Sequence, residues 1–107
     1  MVKKLLFITF LFFTTLGFSQ KTLEKLAAAP NPFTSTTKIK FTSTEKQPIF
    51  LVIKNVLGKT VFKKTYTTTK GKNTITFNRN NLKSGMYIYA IQSRKEVISK
   101  RFVIRWV

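Results

Sequence analysis

The chain has 107 residues, of which 20 are Lys or Arg and three are acidic, and it contains neither Cys nor His. This composition excludes disulfide bonds, thiolate chemistry and the commonest zinc and copper ligands. Hydrophobic residues make up 43% of the chain and aromatic residues 14%, which predicts one folded domain rather than a disordered chain.

The first predicted element is an N-terminal apolar run behind a short cationic start. Lys3 and Lys4 precede the run 5–18, and small residues precede a cleavage position between Ser19 and Gln20. The run is about 14 residues long, whereas a membrane-spanning helix needs roughly 20 apolar residues. We therefore predict a cleaved signal peptide at 1–19 and a single domain at 20–107, with a retained membrane anchor as the rival interpretation.

Short β segments follow the leader. Polar and apolar residues alternate in 38–42 and 73–78, whereas 49–53 and 86–91 are nearly continuous apolar runs that predict central strands. Turn-forming residues separate these segments. The pattern predicts an all-β fold, a small immunoglobulin-like β-sandwich of about seven antiparallel strands. The predicted strands are Leu23–Ala28, Lys38–Ser43, Ile49–Asn55, Thr60–Tyr66, Asn73–Phe77, Gly85–Gln92 and Val97–Ile104.

The strand pattern also predicts which side chains fill the core. The predicted inward-facing residues are Ile39, Phe41, Ile49, Leu51, Ile53, Val61, Ile75, Phe77, Met86, Ile88, Ala90, Phe102 and Ile104. The opposite face of the central strands would then carry Phe50, Val52, Tyr87, Tyr89 and Ile91. An exposed apolar patch of this kind, rimmed by Lys, would be a docking surface.

Residues for catalysis are scarce in this sequence. An enzyme needs titratable groups placed to transfer protons, an activated nucleophile or a metal cage. The three acids, Glu24, Glu45 and Glu96, fall in different segments, and the four glycines form no phosphate-binding pattern. We predict a non-enzymatic protein without cofactor or metal.

Four motifs occur in order along the predicted domain. They are Pro30-Asn31-Pro32-Phe33, then KNVLGKT at 54–60 with Gly58, then LKSGMYIYAI at 82–91 with Leu82, Gly85 and Tyr87, and finally SKRFVI at 99–104 with Lys100, Arg101 and Phe102. The prolines stiffen the entry to the sandwich so that Phe33 can be buried, and the two glycines suit positive φ or close backbone approach. As an ordered set the motifs resemble the C-terminal sorting domain of type IX secretion, type A.

This resemblance implies a targeting function carried by recognition rather than chemistry. The Sec pathway would deliver the protein to the periplasm, and the type IX translocon would then recognise the folded domain and pass it to the cell surface or the medium. A sortase-like peptidase and anionic lipopolysaccharide are the further partners that the resemblance implies. Specific nucleic-acid binding is not expected, because the aromatic residues alternate as core residues do, and no transmembrane anchor would remain after leader removal.

The sequence departs from the family pattern in three places. Only residues 20–29 separate the cleavage position from the first motif, which leaves no room for a cargo domain. Ala29 stands where the family often has an aromatic residue, and Thr34 stands where Asn often follows the Phe. These departures bear on processing more than on fold.

Two other interpretations remain open from the sequence. Without Lys3 and Lys4, the chain keeps 18 basic and three acidic residues, a net charge of +15. Such a charge suits a small secreted protein that binds polyanions, such as lipopolysaccharide or nucleic acid. The chain could also be a gene relic in which a leader is fused to the tail of a former cargo protein.

Overall fold

A computed structural model describes residues 21–106, so the predicted cleavage position at Ser19 and Gln20 lies outside the described residues. The described chain forms seven strands: β1 (Leu23–Ala29), β2 (Thr36–Ser43), β3 (Pro48–Lys54), β4 (Thr60–Thr67), β5 (Gly71–Asn78), β6 (Gly85–Gln92) and β7 (Val97–Ile104). All seven predicted strands are confirmed, with ends that differ by at most two residues. In this part of the chain no helix has the length and apolarity needed to cross a membrane.

The strands form two sheets that pack face to face. One sheet has the order β1-β2-β5 and the other the order β4-β3-β6-β7, and all neighbours are antiparallel. This arrangement is a small immunoglobulin-like sandwich. β3 and β6 lie in the middle of the larger sheet, as their continuous apolar runs predicted.

Alternation along each strand fills the space between the sheets. In β2, Ile39 and Phe41 are buried, whereas Lys38 and Lys40, which alternate with them, are exposed. In the opposite sheet, Ile49, Leu51 and Ile53 of β3 are almost completely buried. Burying each such side chain contributes about 1.5–3 kcal/mol, and the core therefore depends on apolar packing without disulfides.

The predicted facing of β6 is wrong. Tyr87, Tyr89 and Ile91 point into the core, whereas Met86 and Ile88 are exposed and Ala90 is half-buried. An unbroken apolar run has no alternation from which the inner face can be chosen. The register decides instead, since Leu51 pairs with Ile91, Ile53 with Tyr89, and Phe102 with Tyr87.

The outer face of the larger sheet therefore carries a different apolar strip from the predicted one. Phe50 and Val52 lie on this face as predicted, and they are joined by Met86, Ile88 and Ala90. Val52 is nevertheless buried, and the ammonium nitrogen of Lys63 lies 4.6 Å from the centre of the Phe50 ring. The predicted inward residue Val61 is half-buried and packs against the core, together with its neighbour Phe62.

Candidate recognition site

Antiparallel strand pairing and one parallel bridge bring the four motifs to the same region of the sandwich. The β3–β4 turn lies beside the start of β6, because Lys54 pairs with Ile88. The start of β6 lies beside the end of β7, because Gly85 pairs with Ile104, and Ile104 in turn bridges Phe33. We call this end of the sandwich the motif end; it comprises residues 30–33, 55–59, 79–85 and 104–106.

The segment Pro30–Phe33 is attached to the free edge of β7. The side chain of Asn31 donates from Nδ2 to the Arg101 carbonyl oxygen at 3.1 Å and accepts from the Val103 amide at 3.0 Å. The Phe33 amide donates to the Val103 carbonyl oxygen at 3.0 Å, and the Arg105 amide donates to that of Phe33 at 2.8 Å. The first motif thus covers part of an edge that a sandwich otherwise leaves open.

Phe33 fixes the same segment from inside. Its ring is buried and meets the ring of Phe102 edge-on, with centroids 5.0 Å apart, and that of Phe77 at 6.5 Å. Phe102 also stacks on Tyr89 at 5.0 Å. The first and last motifs therefore share one aromatic cluster, and the predicted burial of Phe33 is confirmed.

Arg79 connects the loops of the motif end, although it belongs to none of the four motifs. Its guanidinium donates to three backbone carbonyl oxygens, those of Thr34 (3.2 Å), Leu82 (3.0 and 3.1 Å) and Arg105 (2.8 Å). It also donates to the Ser84 hydroxyl at 3.3 Å. Because its partners are mostly backbone atoms, no spacing of side-chain types along the chain marks Arg79 in advance.

The two motif glycines owe their positions to backbone conformation. Gly58 has φ of 84° and Gly85 has φ of 150°, which side chains rarely tolerate. A Cβ atom at either position would have no heavy atom within 4 Å, so close backbone approach is not the reason. Asn55 closes the turn around Gly58 by accepting from the amides of Leu57 and Lys59 at 3.0 Å each.

The remaining motif residues divide into packed and exposed groups. Tyr87 is buried and its hydroxyl donates to the Lys83 carbonyl oxygen at 2.7 Å, while Leu82 is half-buried and packs against the core. Lys100 and Arg101 are exposed on β7, beside the attached first motif. The structure therefore leaves these two cations, together with Pro30 and Pro32, accessible to a partner.

The opposite end of the sandwich is organised around Glu96. Its carboxylate accepts from the amides of Thr22 (2.6 Å) and Leu23 (3.0 Å) and from the Thr22 hydroxyl. Desolvation opposes ionisation, but these hydrogen bonds and the charge of Lys21 outweigh it, so that the pKa of Glu96 is held below its ordinary value. Glu96 thereby ties the start of β1 to the β6–β7 turn.

The other perturbed group is a core phenol. Burial raises the pKa of Tyr89, and a hydrogen bond with the backbone of Ala28 opposes that rise in part. The raised pKa follows from desolvation of the phenol in the core rather than from a charged neighbour. Between residues 21 and 106 no three His, Cys, Asp or Glu side chains come together as a metal ion would require.

Comparison with known proteins places these features in a family context. Residues 27–105 match the secretion system C-terminal sorting domain family, a range that includes all four motifs. No curated protein matches the chain. Two crystal structures of a beta-glucosidase from Listeria innocua, one in complex with glucose, align with a TM-score of 0.42 and 14% identity. The alignments cover 85% of this chain but only 17% of that enzyme's chain.

Proposed function

The chain belongs to the family of secretion system C-terminal sorting domains, and we propose that it is a recognition module whose folded surface is read by the type IX secretion apparatus. The observation that carries the proposal is the convergence of the motifs at the motif end. The first motif runs along the end of β7, where Phe33 bridges Ile104 and packs against Phe102, and the two other motifs reach the same end beside it. Recognition of such a surface requires prior folding.

The packed motif residues would act on this function indirectly. Phe33, Tyr87 and Phe102 are buried, so a partner cannot contact most of their surface. Their role in the proposal is to hold the exposed residues, above all Lys100 and Arg101, in fixed positions. A role in recognition rather than catalysis also fits the positions of the acidic side chains. Glu24, Glu45 and Glu96 all lie away from the motif end.

The proposed route has two steps. The leader at 1–19 directs export across the inner membrane and is removed between Ser19 and Gln20, after which the domain folds in the periplasm. The secretion apparatus then moves the protein to the cell surface or the medium. A sortase-like peptidase and anionic lipopolysaccharide are proposed as later partners, and no catalytic role is assigned to the domain itself.

A reporter fusion tests the proposal. The leader, a folded reporter and residues 20–107 would be joined in that order and expressed in a strain with the type IX apparatus and in one without its translocon. We expect the reporter in the medium or on the surface of the first strain and in the periplasm of the second. Periplasmic retention in both strains would refute the proposal.

A pair of charge variants separates recognition from folding. Lys100→Gln with Arg101→Gln removes two exposed cations of β7, the strand of the last motif. Lys38→Gln with Lys40→Gln removes two exposed cations of β2, in the smaller sheet. Both variants are expected to unfold at the same temperature as the parent protein. Only the first should reduce secretion of the reporter, and equal secretion by both would show that these motif cations are not read.

A further inference from the structure

Large apolar side chains protrude from the motif end on two separate segments. Val56 and Leu57 form the tip of the β3–β4 turn and are 71% and 88% exposed. Trp106, which follows β7, is 84% exposed. These residues contribute almost nothing to the core. Exposing apolar surface to water is unfavourable in free energy, and contact with an apolar partner would remove that exposure.

Cations flank these apolar tips, and acids do not. Lys54 and Lys59 bracket the β3–β4 turn, and Arg105 precedes Trp106. The three acids lie at the other end of the sandwich. Glu24 pairs with Thr42 near the end of β2, Glu45 lies in the β2–β3 turn, and Glu96 lies in the β6–β7 turn. The motif end therefore combines cations and exposed apolar side chains without an acid, whereas the opposite end of the described domain holds the three acids beside cations of its own.

We propose that the motif end docks on the surface of an anionic phospholipid bilayer. Val56, Leu57 and Trp106 would enter the layer between headgroups and acyl chains, where Trp is favoured. The cations beside them would meet the phosphates, which attract basic residues near the surface. Such a bilayer is anionic at its surface and apolar beneath it. The cations would stay at the surface beside the phosphates, while the protruding apolar tips would reach the apolar layer.

The local structure supports a stiff presentation of the turn. Asn55 accepts from the amides of Leu57 and Lys59, and the Gly58 amide donates to the Asn55 carbonyl oxygen at 2.9 Å. A turn closed in this way loses little conformational entropy on docking. A second copy of the chain is a poor occupant, because it would present the same cations to this end and be repelled.

The lone tryptophan provides the decisive probe. Trp106 is the single Trp of the chain, so its fluorescence reports on the motif end alone. Protein expressed from the full sequence would be mixed with vesicles of phosphatidylglycerol and phosphatidylcholine, and separately with vesicles of phosphatidylcholine alone. We expect cosedimentation, a blue shift of emission and quenching by brominated acyl chains with the anionic vesicles, and none of these with the neutral ones.

Two variants with matched controls assign the binding to named residues. Val56→Ser with Leu57→Ser should weaken binding by about tenfold or more, because two buried aliphatic side chains are lost. Its control is Val97→Ser, which removes an exposed apolar side chain at the other end of β7. Lys54→Gln with Lys59→Gln should weaken binding by about fivefold per cation, and its control is Lys46→Gln with Lys95→Gln in the turns at the other end.

Several results would overturn the proposal. Unchanged Trp106 emission on anionic vesicles would show that the motif end stays in water. Equal weakening by each variant and its control would indicate adsorption of a cationic protein without a defined face. Binding to soluble polyglutamate that depends on Val56 and Leu57, without vesicle binding, would assign the same end to an acidic protein partner.

Discussion

Replacing Asn31 by Ala tests whether the first motif is held to β7 as the structure shows. The substitution removes both side-chain hydrogen bonds, the one donated to the Arg101 carbonyl oxygen and the one accepted from the Val103 amide. Each hydrogen bond contributes about 0.5–1.5 kcal/mol, and these are exposed, so a total loss of about 1–2 kcal/mol is expected. For a domain of this size the melting temperature should fall by about 4–8 °C per kcal/mol.

The assay combines thermal and urea unfolding with amide hydrogen exchange. The Val103 amide should exchange about fivefold faster or more in Asn31→Ala, since a loss of 1.4 kcal/mol corresponds to a factor of about ten. Asn81→Ala is the matched control, because Asn81 is an exposed residue of the 79–85 loop and no hydrogen bond of its side chain is seen in the described structure. Unchanged Val103 protection, or equal stability of the two variants, would refute the attachment of Pro30–Phe33 to β7.

Three further predictions follow from the core, a turn and the opposite end. Tyr89→Ala should lower the free energy of unfolding by about 3–5 kcal/mol, and Ile88→Ala by less than about 1.5 kcal/mol; the reverse order in urea titrations would contradict the observed facing of β6. Gly58→Ala should cost about 1–2 kcal/mol through its positive φ, and Gly58→Asn should cost less, as measured by the melting temperature. Because the pKa of Glu96 is lowered on folding, the stability it contributes is fully present above the ordinary carboxyl pKa of about 4.3 and is lost as the pH falls through the lower folded value. Glu96→Gln should therefore flatten the decline of the melting temperature below about pH 5, and an unchanged decline would exclude the contribution of Glu96.

Much of the fold is readable from the sequence because strand periodicity is a local property. The alternation in Lys38–Ser43 and Asn73–Phe77 predicts the buried faces of β2 and β5 without knowledge of their partners. The continuous runs in β3 and β6 predict central positions for the same reason. The turns at Gly58 and Gly85 are likewise local, since positive φ depends on the residue itself.

The facing of β6 shows where local reasoning ends. In Met86–Ile91 both faces are apolar, so either face could be buried, and the choice depends on registers with β3 and β7 that involve residues far apart in sequence. The same limit explains why Arg79 was missed, because its backbone acceptors at Thr34 and Arg105 become neighbours only after the sheets pack.

The sequence alone determined the strand count, the two-layer class, the basic charge and the ordered motifs of a sorting domain, because each depends on residue types and short-range spacing. Only the tertiary structure decided which aromatic residues fill the core and which cations stay accessible. It also decided that Pro30–Phe33 covers the edge of β7, and that the apolar tips and flanking cations gather at one end while the acids lie at the other. These features depend on long-range pairing, and long-range pairing is set by the packing of the whole domain rather than by any single segment.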